Sequence, residues 1–74
     1  MHNHAKKVRD TAPRFKVTDI VEVTSYIHSK LAGHCARVVE VRKNRHARTL
    51  DKYVLLLAGS VDQQVLWDIE LKSI

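Results

Sequence analysis

Seventy-four residues hold 13 lysines and arginines against 8 aspartates and glutamates, a formal charge of +5, with 45% hydrophobic side chains and one cysteine. That length allows a single domain with a thin stability margin, and the lone Cys35 excludes an internal disulfide framework. The longest apolar run, 54–58, is far too short for a membrane-spanning helix.

The opening histidines and lysines are followed by no apolar run, which points away from a signal peptide. The expected compartment is therefore the cytoplasm, with no membrane partner. The charge is uneven. Lys6, Lys7, Arg9, Arg14 and Lys16 against Asp10 give residues 1–16 a charge of +4, and Arg42, Lys43, Arg45, Arg48 and Lys52 against Asp51 give residues 42–52 another +4. The stretches around them are mildly acidic. Two basic islands of this kind favour anionic partners, nucleic acid or an acidic protein face.

Residues 1–14 read as a flexible basic arm before a domain over 15–74, and removing residues 1–13, up to Pro13, should leave the melting temperature nearly unchanged. From Phe15 the pattern turns to period two: Phe15, Val17, Val21 and Val23 share one face of a strand. Residues 25–34 have no period and form a loop, with Tyr26, Ile27 or Leu31 folding back on the core. A second strand spans 35–42 and a polar, basic connection spans 43–49. A third strand over 50–57 is apolar on both faces, which suits an interior position in the sheet. Ala58-Gly59-Ser60 is a turn signal. A fourth strand covers 61–67, then a single helical turn at 67–70 and a short closing strand; a helix over 62–72 competes with this last part. Val21, Val39 and Leu55 fall on the inferred inner face. The pattern predicts an all-β fold, a small five-stranded antiparallel barrel.

Several stretches resemble the signatures of bacterial SH3-like barrels. Phe15-Lys16-Val17-Thr18-Asp19-Ile20-Val21-Glu22-Val23 is similar to their opening strand, with Thr18 where a glycine is usual. Leu31-Ala32-Gly33-His34-Cys35-Ala36-Arg37-Val38-Val39-Glu40-Val41 resembles the second signature, with Ala36 in place of its second glycine. Tyr53-Val54-Leu55-Leu56 and Leu66-Trp67-Asp68-Ile69-Glu70-Leu71 are similar to the third strand and to the closing turn and strand. The families with these signatures are the SH3-like domain of the nitrile hydratase beta subunit and the electron-transport accessory subunits of photosystem I and ferredoxin–thioredoxin reductase. The resemblance implies an SH3-like barrel acting as an accessory subunit. Such motifs specify a fold and leave the function open.

Catalytic and cofactor signals are weak. His2, His4, His28, His34 and His46 lack the spacing of a zinc site, and Cys35 has no second cysteine near it. Cys35 and His34 are neighbours on a strand and point to opposite faces, so they cannot act as nucleophile and base; Cys35 reads as a small buried hydrophobe. Asp68 and Glu70 read as solvent-facing charges at the start of a short turn. No catalytic residue, metal or cofactor is expected. A remote alternative is an oligomeric pore-type reductase, because Gln63-Gln64-Val65-Leu66 faintly resembles the Val-Gln-Ile-Tyr pore motif of the plasmid-borne dihydrofolate reductase.

The leading expectation is a non-enzymatic binding module docking on a larger protein assembly, with Tyr26 and Trp67 as aromatic anchors. The alternative is weakly sequence-specific binding of DNA or RNA through Arg42, Lys43, Arg45 and Arg48 together with Lys6 and Lys7. A second copy of the chain is the remaining partner considered.

Overall fold

The computed structural model describes Arg9 and residues 11–74. Five strands, β1 (Ile20–Val23), β2 (Cys35–Arg42), β3 (Lys52–Leu57), β4 (Gln63–Trp67) and β5 (Leu71–Ser73), form one antiparallel sheet in the order β4-β3-β2-β1-β5. The chain is all-β, as the period-two segments predict. Three single 3-10 turns, Ser29–Leu31, Arg48–Leu50 and Asp68–Glu70, lie in the connections, and the competing helix over 62–72 does not form. No described helix is long and apolar enough to cross a membrane.

The expected closed barrel is not closed by hydrogen bonds. The turn Asp68–Glu70 separates β4 from β5, and the three residues of β5 pair with β1. Both β4 and β5 are therefore sheet edges among the described residues. The inner face still encloses a core of Phe15, Val21, Val23, Ala36, Val38, Tyr53, Leu55, Leu57, Leu66 and Leu71, with Leu31 and Val41 packed against it. Phe15 meets Tyr53 edge to face at 5.4 Å, and its N–H donates to the Tyr53 hydroxyl at 3.3 Å. That bond gives the buried phenol a partner, which a buried tyrosine needs. Burial pushes the Tyr53 hydroxyl pKa up.

Two expected facings are corrected. Val39 is not the inner residue of β2; Val38 is. The β2–β3 register runs Val38↔Leu55, then skips to Glu40↔Val54, so Val39 is the extra residue of a bulge. The skip returns Val41 to the inner side opposite Tyr53, three residues after Val38 instead of two or four. Cys35, expected inside, is exposed with a free thiol, because Ala36 and Val38 hold the inward positions at this end of the strand.

The first strand is also shorter than its alternation implies. Lys16 to Asp19 form a tight turn: the Asp19 N–H donates to the Lys16 carbonyl at 3.0 Å and the Asp19 carboxylate accepts the Lys16 N–H at 2.9 Å. Val17 is thrown outward as a result. Thr18 takes φ 82°, the left-handed region that a β-branched residue strongly disfavours. It is held there by donating its N–H to the Val38 carbonyl at 2.8 Å.

The segment before β1 is tied down at two points. The Arg9 guanidinium donates to both carboxylate oxygens of Asp51, at 2.6 and 2.9 Å, with both side chains almost wholly buried. Arg14 lies over the Phe15 ring at 4.5 Å and donates to Asp68 Oδ2 and to the carbonyls of Asp68 and Leu71. The arm expected over 1–14 therefore meets the sheet at Arg9 and Arg14, and a boundary at 14/15 cuts through these contacts.

Two outcomes test these features. Thr18→Gly relieves the backbone strain at a modest cost in unfolded-chain entropy and should raise stability by about 0.5–1 kcal/mol in urea titration. Arg9→Ala leaves the Asp51 carboxylate buried without its guanidinium, and should lower stability by about 3 kcal/mol in the same assay. In a domain whose total is of order 5–10 kcal/mol, that loss is large.

Candidate functional site

Two surfaces present chemistry that the core does not use. The first is the β1–β2 loop, residues 24–34, facing the turn Asp68–Glu70. Its base is fixed by backbone bonds: the Val23 N–H donates to the His34 carbonyl at 2.9 Å, and the Gly33 N–H donates to the Val23 carbonyl at 2.7 Å. Gly33 has φ 86°, a conformation that glycine adopts without penalty. The remaining hold is Glu70. Its Oε1 accepts from the Ser25 hydroxyl and from His28 Nδ1 at 2.8 Å, its Oε2 accepts the Trp67 N–H at 2.8 Å, and its carbonyl accepts the Thr24 N–H at 2.7 Å. The Ser25 hydroxyl in turn accepts the His28 N–H at 3.0 Å. Burial alone raises the Glu70 carboxyl, but the hydrogen bonds from Ser25, Trp67 and His28 outweigh it and hold the pKa below its ordinary value.

This anchoring leaves the loop tip out in solvent. Tyr26 is 98% exposed, Ile27 is 81% exposed and Ile69, across on the turn, is 68% exposed. All three line one shallow depression with Thr24, Ser25 and Glu70. Of the three residues expected to fold back on the core, Leu31 does so; Tyr26 and Ile27 do not, because the buried Ser25 occupies the inward position and carries its neighbours outward. Glu70 and Asp68, expected to face solvent, are both buried, each satisfied by partners more than 40 residues away in sequence.

The second surface is a basic pole at the β2–β3 connection. Asn44 organises it: its Oδ1 accepts the N–H groups of His46 and Ala47, and its own N–H donates to Asp51 Oδ1 at 2.7 Å. Lys43 and Arg45 project outward with no carboxylate partner among the described residues, Arg42 pairs with Glu40 at 3.1 Å, and Arg48 is half-buried in its turn. The Arg9 N–H donates to the Arg45 carbonyl at 3.3 Å, so the chain enters the domain beside this connection. Lys6 and Lys7 lie outside the described residues. Trp67 sits at the same end, on the outward face of the sheet, with the Lys52 ammonium 4.7 Å over its ring and Arg42 the cross-strand neighbour of Lys52. Tyr26 and Trp67, the two expected anchors, thus belong to different surfaces.

Among the described residues no group of three or more His, Cys, Asp or Glu side chains gathers around a common point that could hold a metal ion. Gln63 is exposed on β4, and Gln64 lines a depression with Ile27 and His28. The sequence reads Ile27 as a residue folding back on the core and Glu70 as a solvent-facing charge, and it reveals neither Ile69 as a surface residue nor the joining of Ser25, His28 and Glu70; an isoleucine on a loop and another in a turn, both without a period, are the available signal.

The lowered pKa of Glu70 sets a pH dependence. A carboxyl depressed in the folded state contributes stability above its unfolded value and loses it as pH falls through the folded value. Urea midpoints measured from about pH 6 down to pH 3 should therefore fall once the pH drops below the ordinary glutamate value near 4.5, and Glu70→Gln should flatten part of that fall. Comparison with protein-family models, with curated proteins and with solved structures finds no match to this chain.

Proposed function

We propose that the chain is a non-enzymatic binding module of SH3-like build that docks on a larger protein assembly through Tyr26, Ile27 and Ile69. The observation that supports this reading is the near-complete exposure of three large apolar side chains around a single depression, on a loop anchored at its base. Burying such side chains against a partner returns about 1.5–3 kcal/mol each, and anchoring the loop beforehand lowers the ordering cost of binding. Residues 24–34 carry Lys30, His28 and His34 and no acid, so the complementary partner segment is apolar with acidic flanks. The SH3-like reading draws its support from a five-strand sheet in which a short turn precedes a closing strand.

The basic pole favours a second reading, weakly sequence-specific binding of nucleic acid. Its support is Lys43 and Arg45, which point outward with no carboxylate partner among the described residues, at the same end of the sheet as Lys52 and an outward-facing tryptophan. Capture from the native host at about 50 mM salt, where electrostatic attraction is still strong, separates the two. On the first reading a protein partner survives nuclease treatment and the Lys43→Gln/Arg45→Gln pair, and is lost with Tyr26→Ala, whose fold is unchanged because the side chain touches little. On the second, capture disappears with nuclease and with the double charge change and ignores Tyr26→Ala. A partner that resists all of these changes would overturn both.

A further inference from the structure

The depression beside Tyr26 has a neighbour. Ile27 borders it, and the same side chain borders a second depression lined by His28, Ser29, Lys30, Leu31 and Gln64. The two measure about 300 and 390 Å³ and both open onto solvent, each near the low end of sites that enclose a small molecule. A compact ligand would be poorly enclosed in either. An extended chain crossing Ile27 fills both.

The two halves differ in chemistry. The first presents Tyr26, Ile27 and Ile69, and its one acid, Glu70, is buried with its carboxylate oxygens taken by Ser25, His28 and the Trp67 N–H. The second presents Lys30, which is exposed and has no carboxylate partner among the described residues. Residues 24–34 hold no acid to offset it. An unanswered cation beside an apolar patch favours a partner that carries a carboxylate at that point.

Gln64 supplies the remaining feature. It stands opposite Leu55 on the inner face of β4, two residues from Leu66. Both leucines are fully buried, whereas Gln64 is half-buried and lines the second depression. Its side-chain amide makes no hydrogen bond among the described residues. Such an amide offers a donor and an acceptor side by side, and covering it without a partner is costly. The complementary group is a peptide unit, whose N–H and C=O present the same pair.

We infer that the occupant is an extended peptide segment of another protein. A large apolar side chain of that segment packs against Tyr26, Ile27 and Ile69, its main chain crosses Ile27 to the Gln64 amide, and an aspartate or glutamate meets Lys30. This role rests on the docking reading and gives its partner a definite form: the acid lies on the Lys30 side, and the backbone itself is recognised.

Random peptides of about seven residues, roughly 23 Å when extended, are displayed and selected against the full chain, and a synthetic copy of an enriched sequence is titrated by calorimetry. Enriched sequences should pair Asp or Glu with a large apolar residue. Lys30→Glu, at an exposed position, should weaken that peptide about tenfold and, in a fresh selection, replace its acids by Lys or Arg. Gln64→Leu should weaken it about fivefold to tenfold, and Tyr26→Ala about tenfold, with circular dichroism spectra unchanged in all three variants. Enriched peptides without acids, an acidic preference that survives Lys30→Glu, or an affinity indifferent to Gln64→Leu overturns the inference. If such peptides are still lost with Tyr26→Ala, the docking reading stands without it. A selection that enriches nothing, or only peptides indifferent to Tyr26→Ala, overturns both.

Discussion

Among the described residues three carboxylates are buried, and much of the domain's architecture follows from how each is satisfied. Asp51 is met by Arg9, Asp68 by Arg14, and Glu70 by Ser25, His28 and the Trp67 N–H. A buried carboxylate without such partners would cost several kcal/mol. Well-paired buried charges add little net stability over an apolar core, yet removing one partner is severe. Their effect is therefore geometric: they dictate which distant segments must come together. Asp51 and Asp68 draw in the chain before β1, and Glu70 draws in the loop after it.

That division explains why the surface has the features it has. Glu70 spends its acceptors on the base of the β1–β2 loop, so the tip is held in place without being buried. Asp51 takes its guanidinium from Arg9 and an N–H from Asn44, which shapes the basic connection and sets Lys43 and Arg45 outward. An apolar loop tip and a charged pole thus arise from the same requirement, that buried acids be answered by groups remote in sequence.

Legibility in the sequence followed the same line. Period-two runs located β2 to within its observed bounds, placed β3 and β4 within two residues, and identified the closing turn before β5. Local pattern did not reveal the bulge, because Val38 and Val39 are identical side chains and only the shift in pairing tells them apart. The turn at Lys16 to Asp19 was hidden by Thr18, which lacks the glycine signal its backbone calls for. Asp68 and Glu70 read as exposed because nothing near them in sequence could answer their charge. The candidate binding residues divided similarly: Tyr26 was identifiable as an aromatic on a loop, whereas Ile27 read as a residue turned toward the core and Ile69 became notable only once the fold placed it beside Ile27.

The tie between Arg14 and the carbonyl of Leu71, together with the pairing of β1 with β5, has a consequence for how the protein is made. Contacts that join residues 9–23 to residues 51–73 bring distant parts of the chain together, and such non-local closure is slow compared with local hairpins. On a ribosome adding roughly 5–20 residues per second, β2 and β3 can pair while translation continues. The first strand can join β2 early, but its other edge stays open and Arg14 unmatched until residues 68–73 have emerged. During that interval the nascent chain displays Val21 and Val23 to whatever chaperone or neighbouring chain is near.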